Sequence, residues 1–441
     1  MAFATFGCKV NQYETACMAH QFSSLDWRIV PFTDEADVYV VNTCTVTSHA
    51  DAKSRAAIRR GLRQKEQRPD VRVVATGCLA QRFPEQIARL GHLELICGNR
   101  EKTRLFSLLE SGHRLVCADI SEASVFDEIS ADKLPGRSRG FLKVQDGCDF
   151  ACAYCAVPLA RGPARSRPLA AVLDQVERLA ASGYREVVLG GINLGTWGRE
   201  WSDGQSLPGL VHQLAAVDGI KRVRLSSLEP QFLTPGFIDE LFDCEALAHH
   251  LHIPLQSGSD ALLSSMGRRY DTALFRRNIE AVRQRQAHTA LGFDVIVGLP
   301  GETDARFEET LAFLRALAPA YLHVFAYSRR PGTRAATMSD QVHGSVVRER
   351  SRTLAALSAE LSAAYRQRLL HHRIPLWAVA ESEKQGWSTG LSDHWVRVYA
   401  GHGDAELAGI PVSERLGGLE LVSRRRHDSD VISKTPISEA T

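Results

Sequence analysis

The sequence predicts an α/β protein in three parts: an N-terminal parallel α/β domain, a central partial (β/α)6 barrel and a small C-terminal β-barrel. Three observations carry this. Short β-branched or apolar runs alternate with helical stretches over the first 120 or so residues. After a polar break at 121–139 the alternation resumes for six βα units. A long Ala/Leu/Arg helix at about 345–373 then leads into short strands at the spacing of a small barrel. Alternation of this kind marks parallel sheets covered by helices, and 441 residues suit about three domains.

In chain order, "AFATFG" (2–7), "DVYVVNT" (37–43), "VRVVATG" (71–77) and "LELICG" (93–98) read as strands, with helices at 14–24, 47–64 and 84–90. Residues 121–139 are polar and aperiodic and read as a linker. Six strands follow: "FLKVQ" (141–145), "EVVLG" (186–190), "RVRLSS" (222–227), "HHLHIP" (249–254), "GFDVIVG" (292–298) and "YLHVFAYS" (321–328). Helices such as 168–182, 271–288 and 303–317 separate them, which favours an open or partial barrel over a flat sheet. The last strands are "LWAVAES" (376–382), "GWSTGLS" (386–392), "HWVRVYA" (394–400) and "GLELVSR" (418–424). The Ser/Asp-rich end reads as disordered, so the expected boundaries are 1–120, 121–139, 140–372, 373–426 and 427–441.

Composition is that of an ordinary soluble domain, 44% apolar and 24% charged. No apolar run approaches the ~18–20 residues of a bilayer span. The first ten residues lack a basic start and a cleavage site and read as a strand, so the expected location is cytoplasmic. A net charge of +2 announces no polyanionic partner. Basic clusters at 53–68, 161–167, 365–373 and 423–427 read singly as solvated faces, and together shift the balance toward a phosphate-rich partner.

Ten cysteines in a reducing compartment are metal ligands, reactive thiols or core residues rather than disulfides. "DGCDFACAYCAVPLARG" (146–162) sets Cys148, Cys152 and Cys155 at C-x-x-x-C-x-x-C just after a strand. That spacing fits three corners of a four-iron cluster, leaving one iron open for a substrate or cofactor. A zinc site would want a fourth ligand, and no Cys or His follows at the usual spacing. Cys8, Cys44 and Cys78 each lie just after one of the first three strands, at intervals of 36 and 34 residues. Strand ends of a parallel sheet converge on one ligand-binding edge, so three thiols distant in sequence are expected to meet. Cys97 ends a strand without a comparable loop, and Cys17, Cys117 and Cys244 follow no pattern and read as core.

"CDFACAYC" resembles the signature of the radical S-adenosylmethionine enzymes, and the chain from about 2 to 424 resembles the methylthiotransferases within that superfamily. The likeness runs through "TFGCKVNQYET", "VNTCTVTSHADAKSR", "ATGCLAQ", "CAVPLARGPARSR", "LSSLEP", "HIPLQSGSD" and "VIVGLPGET". It implies that Cys148, Cys152 and Cys155 hold the cluster that cleaves S-adenosylmethionine into a 5′-deoxyadenosyl radical. It further implies that Cys8, Cys44 and Cys78 hold a second, auxiliary [4Fe-4S] cluster that presents sulfur, and that the C-terminal strands form an RNA-binding TRAM barrel. By the same resemblance Gly190, Gly191, Asn193, Ser226, Ser227, Glu229, Gln256, Ser257 and Asp294 line the S-adenosylmethionine pocket, although each alone suits ordinary loop and turn chemistry. The basic loop Arg161, Arg165 and Arg167 is expected to leave the cluster toward the substrate entrance and hold RNA phosphates. Trp387 and Trp395 serve either RNA stacking or the barrel core, and the core is favoured.

The family's branches thiolate N6-isopentenyladenosine in tRNA, N6-threonylcarbamoyladenosine in tRNA, or an aspartate of a ribosomal protein. "CKVNQYE" after the first strand is similar to the threonylcarbamoyladenosine branch, and "YSRRPGTRA" (327–335) fits it. The implied product is the 2-methylthio derivative at tRNA position 37. Its formation would consume two S-adenosylmethionines and need a reducing electron donor and a sulfur source, and nothing requires more than a monomer. Arg161 or Arg330 is the expected contact to the charged threonylcarbamoyl group. The rival readings are a radical enzyme without sulfur transfer and a non-catalytic RNA-binding iron–sulfur protein.

Overall fold

The computed structural model describes every residue except 135, 385–386, 402–403, 408–409, 412–418, 423–430 and 434–441. The first sheet is β1 (Ala2–Thr5), β2 (Val38–Thr43), β3 (Arg72–Gly77), β4 (Leu95–Cys97) and β5 (Leu115–Val116), side by side in that order and parallel throughout. All six residues of β2 are buried, because helices cover both faces. Tyr39, Val41, Val73 and Ala75 face Ala57 and Ile58 of the helix Ser48–Gln67. That helix is capped by Thr47, whose side chain accepts from the Ala50 amide. Alternate residues Val38, Val40 and Val74 face Tyr13, Met18 and Phe22 of the helix Lys9–Ser23, within a core continuous with the next domain.

The central strands are β6 (Gly140–Lys143), β7 (Gln145–Asp146), β8 (Arg165–Ser166), β9 (Glu186–Gly190), β10 (Arg222–Leu225), β11 (His250–Gln256), β12 (Ala290–Val297) and β13 (Tyr321–Ala326). Parallel trios β6–β9–β10 and β11–β12–β13 are joined by the bridges Val223↔Leu247 and Ser227↔His252. Six parallel strands thus form an open arc, the expected partial barrel. The N-terminal domain sits at its open side. Tyr13 packs on Phe141 of β6 with ring centroids 5.9 Å apart, and Arg330, past β13, reaches Thr45, Ser48 and Asp51.

The stretch expected to be a linker, 121–139, is anchored to the core at several points. Ile129, Ala131 and Leu134 enter the shared core, and the Tyr184 hydroxyl both accepts from the Leu134 amide and donates to its carbonyl. Its few apolar residues lack a helical or strand period, so their burial was not legible in the pattern.

The helix Gly344–His371 lies along β13, its Ser358 hydroxyl accepting from the Leu322 amide. It leads to β14 (Leu376–Lys384), β15 (Trp387–Ser392), β16 (Arg397–Gly401), β17 (Asp404–Leu407), β18 (Ile410–Pro411), β19 (Leu419–Val422) and β20 (Val431–Ser433). These form one sheet, β18-β17-β16-β15-β14-β19-β20, antiparallel except for β14–β19. Arg224 of β10 ties it to the barrel by donating to the carbonyls of Ser392 (2.9 Å) and Asp393 (3.2 Å). The segment expected to be disordered, 427–441, lies outside the described residues except that Val431–Ser433 is strand. The side chain of Trp387 is likewise outside them, whereas Trp395 stacks on His250 at 4.4 Å. Among the described residues no helix is long and apolar enough to cross a membrane.

Candidate functional site

The contiguous cysteine trio sits in a loop clasped at its base by the antiparallel pair β7–β8. Gly147 turns the chain into the loop at φ +70°, where a Cβ would lie 1.8 Å from the Pro163 carbonyl oxygen, so only glycine fits. The sulfurs are surrounded by N–H donors. The Phe150 amide points at Cys148 Sγ (3.4 Å) and the Val157 amide at Cys155 Sγ (3.4 Å). Asn193 Nδ2 lies 3.6 Å from Cys148 Sγ and Arg268 Nη1 3.2 Å from Cys152 Sγ. Burial pushes the Cys155 thiol up to about 12, but it does the same to the core thiols of Cys17 and Cys97. Proton affinity therefore does not mark the site. Donors aimed at sulfur do, since they stabilise thiolates bound to a cationic centre.

The dispersed trio is assembled as the topology requires. Cys8 precedes the helix Lys9–Ser23 as its N-cap, Cys44 follows β2, and Cys78 opens the helix Cys78–Arg82 after β3. Gly7 and Cys44 approach so closely that a Cβ on Gly7 would lie 2.5 Å from Cys44 Sγ. Here too N–H groups face sulfur: the Val46 amide on Cys44 (3.5 Å) and Asn99 Nδ2 on Cys78 (3.6 Å). The same Asn99 Nδ2 lies 2.7 Å from the carbonyl oxygen of Ala160, in the helix that follows Cys155. Each trio is a three-sulfur donor set of the kind that holds a [4Fe-4S] cluster with one iron free.

A buried ionic bridge connects the two loops. Arg161 donates to Glu14 (2.9 and 3.0 Å), to Asp146 (2.9 and 3.1 Å) and to Asn11 Oδ1 (2.7 Å). Lys143 reaches both carboxylates, and Lys102 pairs with Glu14. Burial would raise Glu14, but Arg161, then Lys102 and Lys143, hold its carboxyl well below the usual range. Asp146 is held down in the same way, by Arg161 and then Lys143 against its burial. Asn11 and Glu14 lie one turn and two turns beyond Cys8, Asp146 two residues before Cys148, and Arg161 six after Cys155.

This corrects the expected basic loop. Arg161, Arg165 and Arg167 are 1%, 3% and 1% exposed and are not displayed toward solvent. Arg165 donates to the carbonyls of Arg161 and Pro163, and Arg167 pairs with Glu128. Arg330 is buried as well, paired with Asp51. Arg161, Arg167 and Arg330 find carboxylates supplied from elsewhere in the fold, whereas Arg165 bonds chiefly to carbonyls of its own loop.

The residues expected around S-adenosylmethionine lie at the carboxyl ends of β9, β10 and β11 and, for Asp294, within β12. Gly190 and Gly191 each lie against protein neighbours that leave no room for a side chain. A Cβ at Gly190 would strike the Phe141 ring at 2.1 Å, and one at Gly191 would meet Gln145 at 2.9 Å. Asn193 Oδ1 and Ser226 Oγ are buried without a hydrogen-bond partner, which a polar ligand would satisfy. Glu229 pairs with Arg268, the donor to Cys152. Gln256 adopts φ +67° at a bulge ending β11, and Ser257 is buried against Thr310. Asp294 completes a chain missed in the sequence: Ser227 Oγ to His252 Nδ1 (2.8 Å), His252 Nε2 to Asp294 (2.8 Å) and His323 Nδ1 to Asp294 (3.3 Å). Buried polar atoms and donors to sulfur together fit the expected cofactor.

A cavity of about 560 Å³ opens where the N-terminal helix, the barrel and the C-terminal sheet meet. Lys9, next to Cys8, enters it with its ammonium 5.1 Å from the centre of the Trp395 ring.

Comparison with known proteins gives two family matches: Uncharacterized protein family UPF0004 over residues 1–98 and the Radical SAM superfamily over residues 142–314. The chain is 36% identical to "Threonylcarbamoyladenosine tRNA methylthiotransferase MtaB" of Bacillus subtilis, over 90% of this chain and 89% of that one. It is 34% identical to "tRNA-2-methylthio-N(6)-dimethylallyladenosine synthase" of Cereibacter sphaeroides, over 88% and 89%. Among solved structures the radical S-adenosylmethionine methyltransferase TsrM from Kitasatospora setae superposes with a TM-score of 0.58 at 15% identity, covering 76% of this chain and 74% of that one, a likeness of fold.

Proposed function

The chain belongs to the radical S-adenosylmethionine methylthiotransferases, and we propose that it acts on tRNA, placing a methylthio group at C2 of N6-threonylcarbamoyladenosine at position 37. The family's cofactors are S-adenosylmethionine and two [4Fe-4S] clusters. We assign the radical cluster to Cys148, Cys152 and Cys155 and the auxiliary cluster to Cys8, Cys44 and Cys78. When bound, these groups supply the hydrogen-abstracting radical, the sulfur and the methyl group. The chain's part is to hold them. Asn193 and Arg268 donate to cluster sulfurs, Ser226 and Glu229 offer polar partners to the cofactor, and the Arg161 bridge fixes one cysteine loop against the other.

The substrate reading rests above all on the near full-length likeness to the Bacillus subtilis relative of that name, together with the "CKVNQYE" stretch around Cys8. A second reading, the isopentenyl (dimethylallyl) adenosine substrate, is favoured by the Cereibacter sphaeroides relative at nearly equal identity. Deleting the gene and digesting total tRNA to nucleosides for mass spectrometry separates them. The proposal expects loss of the methylthiolated threonylcarbamoyladenosine alone, restored by the intact gene. Loss of the isopentenyl derivative instead would support the second reading. A reducing electron donor, a sulfur source, a cytoplasmic location and a monomeric state complete the proposal.

A further inference from the structure

The sequence offered Arg161 and Arg330 as contacts for a charged substrate arm, and both are spent on carboxylates of this chain. The cavity beside Cys8 carries cations of a different standing. Its wall holds Lys9, Arg137, Arg139, Arg224 and Arg397 against one carboxylate, Glu381. Arg139 and Arg397 share that carboxylate at 2.7 Å each. Arg224 is held from behind by Glu186 (2.6 Å). Among the described residues Lys9 forms no ion pair; its ammonium lies over the Trp395 face, with Glu186 an attractive charge acting on it. Lys9 is exposed at the cavity, where five cations face two acids, Glu381 in the wall and Glu186 behind Arg224, and that excess of positive charge favours an anion there.

Position narrows the choice of anion. Lys9 follows Cys8 directly, so one wall of the cavity is the first turns of the helix that Cys8 caps. Its opposite wall includes His323, which bonds to Asp294 of the expected S-adenosylmethionine set. At about 560 Å³ it can take one modified nucleoside, and the aromatic rings of Tyr13, Phe141 and Trp395 suit a planar base with an appended arm.

We propose that this cavity is the recognition subsite for a purine nucleoside bearing a carboxylate arm, with Lys9 as the group that selects the carboxylate. The proposal rests on the tRNA reading above and adds to it the basis of discrimination between substrate arms. An apolar arm lying in the cavity would take water from the Lys9 ammonium without pairing it, which penalises that arm. A backbone phosphate is the other anion available on an RNA, and the test separates the two.

The test uses the reconstituted full-length enzyme and anticodon stem-loops that differ only at position 37: threonylcarbamoyladenosine, the same group with its carboxylate amidated, and isopentenyladenosine. The wild type is expected to show a KM at least about tenfold lower for the free carboxylate than for the amide, the scale of one charge-assisted hydrogen bond. Lys9→Met should raise KM for the free acid by a similar factor, abolish the preference over the amide and shift kcat/KM toward the isopentenyl RNA. Lys9→Arg should restore the preference for the acid, which a loss of folding would not allow. Equal treatment of acid and amide by the wild type, with Lys9→Met weakening both alike, would assign Lys9 to a phosphate and overturn the proposal. So would a Lys9→Met enzyme that keeps the preference. A wild type that thiolates only the isopentenyl RNA would overturn the substrate reading and this inference together.

Discussion

The two cysteine trios are built by opposite routes. Cys148, Cys152 and Cys155 fall within one loop, held shut by two short antiparallel strands and a glycine that no other residue can replace. Cys8, Cys44 and Cys78 come from three strand ends, and their meeting depends on the register β1–β2–β3 across most of a domain. A local loop can assemble a donor set whatever becomes of the rest of the chain. A dispersed set exists only if the sheet does. The dispersed trio is also the one tied to its counterpart, through Glu14, Arg161 and Asp146 and through Asn99 on Ala160.

The largest effect expected from breaking this comparison is chemical. Cys8→Ala should abolish methylthiolation while the reduced protein still cleaves S-adenosylmethionine, whereas Cys148→Ala should abolish both. Measuring 5′-deoxyadenosine and the thiolated nucleoside in one assay checks it. Cleavage lost in both variants would mean that the trios are not separable.

Next comes the bridge. Arg161→Met leaves Glu14 with only the two lysines and Asp146 with Lys143 and the more distant Arg165, and removing one partner of such a buried network costs about 3–5 kcal/mol. Denaturant unfolding of the full chain should show a loss on that scale, and a change under about 1 kcal/mol would contradict a structural bridge. The donors to sulfur should then divide by loop. Arg268→Met should speed iron loss to a chelator from the Cys148 trio by about tenfold or more, and Asn99→Ala from the Cys78 trio, each sparing the other.

The smallest effect lies far from both clusters. Burial, then the neighbouring His394, holds His249 down to about 4 from 6.5. Between those values the unfolded chain takes up a proton that the folded junction refuses. The docking of the C-terminal sheet should therefore be at full strength above pH 6.5 and weaken as pH falls toward 4. Hydrogen exchange in β14–β16 at pH 7 and pH 5 would report it, and equal protection at both would contradict it.

Much of this was legible in the sequence because it is periodic or closely spaced. The strands of the first sheet and the barrel read as apolar runs between helices, and C-x-x-x-C-x-x-C reads as one object. The dispersed trio was legible only through topology, as cysteines at equivalent strand ends. What could not be read was pairing at long range. Arg161 ends a short helix just before Gly162 and Pro163, where a charge normally faces water, and its acceptor Glu14 is 147 residues away. Nothing in the local pattern announces that meeting. Lys9 was in view inside "CKVNQYE", but its significance depends on which cations share its cavity. Asn99 and Arg268, both donors to sulfur, carried no sequence signal beyond being polar residues in loops.

The measurement closest to the central claim is the iron and sulfide content of three anaerobically reconstituted proteins: the wild type, the variant with Cys8, Cys44 and Cys78 all changed to alanine, and the variant with Cys148, Cys152 and Cys155 so changed. The account predicts about eight irons per chain in the first and about four in each of the others, with every protein folded by circular dichroism. About four irons in the wild type, unchanged by loss of the dispersed trio, would contradict it.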